Sequence, residues 1–217
     1  MLPAVTRNQS LGPGLEKPLA PPGVSLSSQG STSTLHAHWK EVAGAGYVVT
    51  LYSLEPAALV KNSSEVGGVT NLTYEGLSPG THYAFVISTV AGPYASPPLR
   101  ITNWTYPSPV EELSLSNQGQ STSLHASWKG AAASRVNYSG VLLEARSQAW
   151  LRNVTVGENC SNITFQGLSP GRQYTLEMAA VAGPYRSPVR TATDWTCEWR
   201  PLSCTRLSPE PAVAWAV

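Results

Sequence analysis

Apolar and polar residues alternate with a period of two along several short segments of this chain. Successive side chains of a β-strand point to opposite faces, so this alternation predicts strands with one buried face. The alternating apolar positions are Leu35, Ala37, Trp39, Tyr83, Phe85, Ile87, Leu124, Ala126, Trp128, Tyr174, Leu176 and Met178. Ser-Pro-Gly and Ala-Gly-Pro turns punctuate these segments and restrict the backbone where strands end. The pattern predicts an all-β fold.

The chain contains an internal repeat. Residues 25–40 (SLSSQGSTSTLHAHWK) correspond to residues 114–129 (SLSNQGQSTSLHASWK), and residues 76–97 correspond to residues 167–188. A period of about ninety residues is too long for a solenoid and suits a small β-sandwich with its own core. The sequence therefore predicts two tandem domains.

The two copies differ in length by one insertion. Trp39 and Trp128 are 89 residues apart, whereas Tyr47 and Tyr138 are 91 residues apart. The two extra residues fall where the segment EVAGAG becomes GAAASRVN. Loops tolerate such insertions far better than strands do, so this segment is predicted to connect two strands.

At these positions the chain resembles the fibronectin type III family. In that family a core Trp on the second strand is followed by Leu-x-Pro-Gly-x-x-Tyr, which leads into the sixth strand. Both halves carry the pattern, at Trp39, Leu77, Pro79, Gly80 and Tyr83, and at Trp128, Leu168, Pro170, Gly171 and Tyr174. The resemblance implies two tandem immunoglobulin-like β-sandwiches of seven strands each.

The resemblance also implies structural roles for these residues. We expect Trp39, Leu77, Tyr83, Trp128, Leu168 and Tyr174 in the cores. The hydroxyls of Tyr83 and Tyr174 are expected to bond back to the preceding turn. The expected domains are residues 20–106 and 107–196, between a disordered or truncated leader (1–19) and a non-homologous, disordered tail (197–217).

Three further segments carry a closer resemblance. NLTYEGLSPG, the paired VAGPY segments and the WTYPSPV junction are similar to ectodomain repeats of type III receptor-like protein tyrosine phosphatases, the vascular endothelial and osteotesticular kind. This resemblance implies an extracellular or cell-surface location. It implies an unidentified protein ligand, or neighbouring fibronectin type III modules, as partners.

The net charge and the hydropathy of the chain narrow the classes of partner that it fits. Lys and Arg number 14 against 13 Asp and Glu, so the net charge of +1 lacks the basic footprint of a nucleic-acid binder. The N-terminal residues contain no apolar run of signal-peptide length, and no segment reaches the ~18 apolar residues that span a bilayer. We therefore expect no nucleic-acid partner and no membrane span in this chain.

Glycan acceptor motifs are the strongest functional signal. Eight of the nine asparagines lie in Asn-x-Ser/Thr, whereas chance would place about two there, which indicates selection in the secretory pathway. The predicted acceptors are Asn62, Asn71, Asn103, Asn137, Asn153 and Asn162, with Asn8 and Asn159 ranked below them. Two pairs are equivalent in the repeats, and strand parity predicts that one of these pairs, Asn71 and Asn162, faces outward.

Catalytic and metal-binding motifs are not apparent in this sequence. The resembled phosphatases need a Cys followed six residues later by Arg, but Cys160, Cys197 and Cys204 are followed there by Gln, Ser and Glu. Cys197 and Cys204 fit a disulfide or a role specific to the tail. His36 and His38 are two apart on one strand, but the second repeat lacks the pair, so we interpret them as solvent-facing. We predict no enzyme activity, no cofactor and no metal.

Loops at one end of each sandwich are the predicted recognition surface, because a rigid scaffold holds them while their sequences vary. One such loop follows the core Trp and the other contains the AGPY segment. The residues proposed for recognition are Tyr94, Arg135, Tyr185 and Arg186.

Three functions fit this sequence. The preferred one is a non-catalytic adhesion, ligand-binding or spacer segment of a receptor-like tyrosine phosphatase ectodomain. The second is a truncated or non-functional product of such a gene, without export. The third is a regulatory part of a longer phosphatase polypeptide.

Overall fold

A computed structural model describes residues 18–65, 67–130 and 136–198. Within these ranges the secondary structure consists of sixteen β-strands and no helix. The described residues fall into two compact units. The first holds residues up to 29, 34–75 and 82–103, and the second holds 30–33, 76–81 and those from 104 onward. The predicted all-β class is confirmed.

Eight strands belong to the first repeat. They are β1 (Ser25–Ser27), β2 (Leu35–His38), β3 (Gly46–Leu54), β4 (Ala57–Glu65), β5 (Asn71–Tyr74), β6 (His82–Ala91), β7 (Tyr94–Ala95) and β8 (Leu99–Trp104). They form a three-stranded sheet in the order β1-β2-β5 and a five-stranded sheet in the order β4-β3-β6-β7, in which β8 also pairs with β6. We call this pair of sheets the first sandwich.

The second repeat contains the same eight strands. They are β9 (Glu111–Ser116), β10 (Ser123–Lys129), β11 (Asn137–Glu144), β12 (Trp150–Val156), β13 (Asn162–Gln166), β14 (Gln173–Ala182), β15 (Tyr185–Arg186) and β16 (Arg190–Trp195). Their sheets have the orders β13-β10-β9 and β12-β11-β14-β15, with β16 also on β14. This second sandwich therefore repeats the topology of the first.

Each sandwich has eight strand segments where seven strands were expected, because the last strand is split in two. In the first sandwich Ser96 lies at the break and is followed by two prolines, which have no N–H for the ladder. The Ser96 hydroxyl accepts a bond from the Thr89 N–H (3.0 Å) and donates to the Pro97 carbonyl (3.1 Å). The side chain thus replaces a ladder partner where the strand changes course.

Aromatic rings fill the middle of the first sandwich. The ring of Trp39 meets Tyr47 edge-on at 5.3 Å and stacks on Phe85 at 6.1 Å, and Phe85 meets Tyr74 at 6.2 Å. Trp39 follows β2 directly, and its N–H donates to the Thr70 carbonyl (2.9 Å). All four side chains are buried, so the alternation of β2 continues into the core beyond its last assigned residue.

The second core keeps the edge-on Trp–Tyr contact and changes its surroundings. Trp128 lies within β10 and meets Tyr138 at 5.7 Å. Leu176 and Met178 of β14 are fully buried beside them. Each sandwich thus buries its own apolar cluster, as a repeat of self-contained domains requires.

Candidate functional site

The predicted core residues are all buried in the structure. They are Trp39, Leu77, Tyr83, Trp128, Leu168 and Tyr174. The hydroxyl of Tyr174 accepts a hydrogen bond from the Ser169 N–H (3.0 Å), five residues earlier in the turn. These positions support the fold and leave the surface to other residues.

Most of the candidate glycan acceptors present exposed side chains. The exposed ones are Asn62, Asn71, Asn137, Asn153, Asn159 and Asn162. Asn103 is half-buried, and Asn8 lies outside the described residues. A glycan is bulky and hydrated, so it needs an outward-facing asparagine.

Asn71 and Asn162 occupy the first positions of β5 and β13. Asn71 pairs with His38 and Asn162 pairs with Ser127. Three residues further along each strand the side chains of Tyr74 and Phe165 are buried. The two acceptors therefore lie at equivalent outward positions on the three-stranded sheets.

Asn62 and Asn153 lie on the edge strands β4 and β12 of the five-stranded sheets. Asn62 pairs with Thr50, and Asn153 pairs with Val141. The Thr50 hydroxyl donates to Oδ1 of Asn62 (3.1 Å). That bond uses the carbonyl oxygen of the amide and leaves Nδ2, the atom that carries a glycan, outside it.

Asn103 differs from the other acceptors because its Nδ2 is already engaged. It donates to the Leu26 carbonyl at 2.7 Å and so ties β8 to β1. The equivalent residue of the second sandwich is Asp194, whose carboxylate accepts the Asn117 N–H (3.0 Å). Asn103 joins β8 to β1, and Asp194 joins β16 to the residue directly after β9, so a structural role accounts for this position in both repeats.

The predicted recognition loops have contrasting surroundings. The start of β3 pairs with the end of β6, at Gly46 and Val90, so the loops before β3 and after β6 lie at one end of the first sandwich. Tyr94 is half-exposed in β7. The corresponding Asn137 and Val181 pair in the second sandwich.

In the second unit, the ring of Tyr185 stacks on Tyr106, with centroids 4.3 Å apart and an interplanar angle of 18°. That stack covers one face of the Tyr185 ring. Arg186 is exposed, and Arg135 lies outside the described residues.

The histidine pair is held by local hydrogen bonds. Nδ1 of His36 lies 3.1 Å from the Thr73 hydroxyl, and Nδ1 of His38 lies 2.9 Å from the Trp39 carbonyl, to which it donates. His125 contacts Thr164 as His36 contacts Thr73, also at 3.1 Å. Among the residues that the structure describes, no three His, Cys, Asp or Glu side chains come together in a way that would hold a metal ion.

The two cysteines within the described ranges are in different chemical states. Cys160 is a free, exposed thiol within the motif that begins at Asn159, whereas Cys197 is disulfide-bonded and buried. Cys204 lies outside the described residues. None of the described segments is a helix long and apolar enough to cross a bilayer.

Among the residues that the structure describes, the imidazole of His82 has a displaced pKa. Burial lowers the pKa of His82 from its ordinary value of 6.5, Glu55 opposes this, and Arg100 adds to it. The second sandwich has Gln173 at the equivalent position, so this histidine belongs to the first repeat alone.

The sequence did not single out two large exposed apolar residues beside acceptors. Leu59 and Trp150 each lie three residues before an acceptor, Asn62 and Asn153, and are 60% and 74% exposed. The available signal was their equivalence in the repeat, since Leu59 and Trp150 are 91 residues apart. Period-two alternation predicts the wrong face for them, because residues three apart on a regular strand point to opposite faces.

Comparison with known proteins agrees with the fold. The pattern of the fibronectin type III domain matches residues 19–102 and 108–201. A two-domain fibronectin type III segment of chicken tenascin superimposes with a TM-score of 0.62 over 82% of this chain and 99% of the segment, at 22% identity. At that identity the likeness concerns the fold alone.

Two receptor phosphatases are similar in sequence. The rat (Rattus norvegicus) receptor-type tyrosine-protein phosphatase V is 32% identical over 200 residues, which are 89% of this chain and 11% of that protein. The chicken (Gallus gallus) receptor-type tyrosine-protein phosphatase eta is 31% identical over 134 residues, which are 59% of this chain and 9% of that protein. The chain thus spans about a tenth of the length of these relatives. With both repeats matched, this chain belongs to the fibronectin type III family.

Proposed function

We propose that this chain is a non-catalytic, glycosylated extracellular segment of a receptor-like tyrosine phosphatase ectodomain, which acts as a spacer and protein-binding surface. Residues 20–106 and 107–196 are its two modules. The observation that carries the proposal is the exposure of acceptor asparagines at equivalent positions of both repeats, Asn62 with Asn153 and Asn71 with Asn162.

The chemistry at these positions supports the secretory pathway. Glycan transfer joins the asparagine Nδ2 to the anomeric carbon of a lipid-linked oligosaccharide diphosphate. One amide proton leaves and the lipid diphosphate departs. The disulfide of Cys197 suits the same oxidising compartment, because disulfides persist outside the cytosol. The fibronectin type III fold itself supplies no catalytic apparatus, and the similarity covers a small part of the phosphatases.

Binding is assigned to the loops next to Tyr94 and Arg186. They lie at one end of each sandwich. In the first sandwich this is the end where β3 begins and β6 ends. In the second it is the end where β11 begins and β14 ends. In the same proposal Arg135 contributes from the loop that differs in length between the repeats. Charge reversal at Arg186 that left the affinity for an identified protein ligand unchanged would remove this residue from the binding surface.

Secretion with glycan attachment is the test. The chain is produced in cultured human cells with an added secretion signal, and the medium is treated with a glycosidase that cleaves N-glycans. We expect a mobility shift, which Thr155→Ala reduces by one glycan and Thr155→Ser retains, because serine preserves the Asn153 motif. A chain that folds and is secreted without any shift contradicts the proposal and favours the non-exported product.

A further inference from the structure

Each edge strand carries the same irregularity next to a glycan acceptor. In the first sandwich, Leu51 pairs with Lys61 but Tyr52 pairs with Leu59, so one residue of β4 is left over. In the second sandwich, Leu142 pairs with Arg152 but Leu143 pairs with Trp150. Such bulges insert one extra residue and shift the alternation of every position beyond them.

The bulge brings the acceptor and an apolar side chain onto one face. Asn153 shares a face with its partner Val141, and Trp150 shares a face with its partner Leu143. Val141 and Leu143 are two apart on β11 and so point the same way. Asn153 and Trp150 therefore project side by side from the sheet, although three residues separate them.

The first sandwich repeats this arrangement. Asn62 pairs with Thr50, and Leu59 pairs with Tyr52, which is two residues from Thr50. Leu59 is 60% exposed and Tyr52 is 39% exposed. The acceptor and an apolar platform thus occur together in both repeats, with different apolar residues in the platform.

Exposure of Trp150 calls for an explanation. This residue is 74% exposed, next to Leu151 at 45%. Large aromatic side chains gain the most free energy when their apolar area is removed from water. Exposed apolar clusters generally mark a contact surface. The apolar C–H face of a sugar ring is a suitable cover, because its hydroxyls stay in water while that face packs on the indole.

From these observations we propose that Trp150 is a packing platform for the first sugar of an N-glycan on Asn153, and that Tyr52 with Leu59 serves Asn62 in the same way. The proposal rests on the proposed glycosylation of these asparagines and adds where the glycan lies. The strand spacing supports it, because two positions along a strand are about 7 Å apart, which is within reach of the first sugar ring.

Oxidation of Trp150 by hydroxyl radicals, followed by mass spectrometry, tests the contact. Three forms of the secreted chain are compared: with complete glycans, with glycans trimmed to a single N-acetylglucosamine, and with glycans removed. We expect Trp150 to oxidise several-fold more slowly in both of the first two forms than in the third. Trp195 is 54% exposed on β16, which β11 and β14 separate from β12. It is the internal control and should react equally in all three.

The trimmed form distinguishes packing of the first sugar on Trp150 from non-specific shielding of Trp150 by the rest of the glycan. If Trp150 reacts as fast with one sugar as with none, the platform proposal is overturned while glycosylation stands. Peptide masses report the occupancy of Asn153 beforehand, and an empty Asn153 in the secreted chain overturns both proposals at this site.

A gain-of-contact variant adds an independent arm. Leu59→Trp places an indole beside Asn62 in the first sandwich, and it should show the same protection by a single sugar. Equal oxidation of the new Trp with and without that sugar would contradict the geometry inferred from the bulge.

Discussion

The two sandwiches solve the same packing problem with conserved connections and exchanged core side chains. The Ser187 hydroxyl accepts the Ala180 N–H at 3.0 Å, as Ser96 does for Thr89. Thr105 donates to the Ser78 carbonyl at 2.7 Å, and Thr196 donates to the Ser169 carbonyl at 2.7 Å. The bonds that hold irregular backbone are thus repeated atom for atom.

The apolar core is where the repeats diverge. Val49 pairs with Ile87 and with Ser63 in the first sandwich, and the corresponding residues of the second are Gly140, Met178 and Val154. The side chain lost from the middle strand is matched by a larger one on the edge strand, Val154 in place of Ser63, and by a longer, unbranched one on β14, Met178 in place of Ile87. Cores accept such volume-conserving exchanges, whereas a buried polar bond has no substitute of similar shape.

The largest expected effect tests whether each core is self-contained. Trp39→Ala should destabilise the first sandwich by about 3–5 kcal/mol, because it leaves a cavity beside the rings of Tyr47 and Phe85. Trp128→Ala should do the same to the second. Chemical denaturation, followed by tryptophan fluorescence and by hydrogen exchange of each half, measures both. Equal losses in both halves from one substitution would contradict separate cores.

Gly140→Val tests the exchange of side chains at Gly140, Met178 and Val154. A Cβ at Gly140 would lie 3.1 Å from Val154 Cγ2, 3.2 Å from the Glu177 carbonyl oxygen and 3.4 Å from Met178 Cγ. We expect a loss of about 1–3 kcal/mol from overpacking, which exceeds the gain from strand propensity.

The matched control for that substitution restores all three residue types of the first sandwich. Val154→Ser and Met178→Ile in the Gly140→Val background should recover most of the lost stability, because they recreate the arrangement around Val49. Thermal unfolding of the single and triple variants measures this recovery. A triple variant less stable than Gly140→Val would show that the exchange is not one of volume.

Removal of the repeated serine hydroxyls should cost the two sandwiches equally. Ser96→Ala and Ser187→Ala each leave a buried backbone N–H without its acceptor, so we expect a loss of about 1–2 kcal/mol in each. Urea unfolding of the two variants provides the comparison. Markedly unequal costs would mean that the geometric equivalence of the two bonds does not extend to their energetics.

The smallest expected effect distinguishes the repeats by pH. The pKa of His82 is lowered in the folded chain, so the unfolded chain binds more protons as pH falls below about 6.5. The contribution of His82 therefore leaves the free energy of unfolding at its full value above that pH. The free energy of unfolding then declines as the pH drops through the folded pKa. His82→Gln, which installs the residue of the second repeat, should flatten the unfolding free energy of the first sandwich between pH 7 and 5. An unchanged slope would assign this pH dependence to other groups.

Sequence patterns predicted those features that depend on local alternation and on the repeat. The core positions of Trp39 and Trp128, the turn before Tyr174 and the insertion between strands follow from the periodicity of two and from the repeat, whose shift changes from 89 to 91 residues. Outward placement of Asn71 followed from the same parity.

Features that depend on a partner strand were not predictable. The bulge beside Trp150 and the break at Ser96 arise from pairing register, which single-strand alternation does not contain. Asn103 satisfies the acceptor motif in sequence, yet its bond to Leu26 joins residues 77 apart. The role of such a residue depends on a contact that forms only when the sheets assemble.

Site-resolved glycan occupancy tests the central proposal most directly. The secreted chain is digested and treated with a glycosidase in ¹⁸O water, which labels each formerly glycosylated asparagine as an isotopic aspartate. We predict labels at Asn62, Asn71, Asn153 and Asn162, the equivalent outward positions of the two repeats. A folded, secreted chain that carries no label at these four asparagines would contradict a glycosylated extracellular segment.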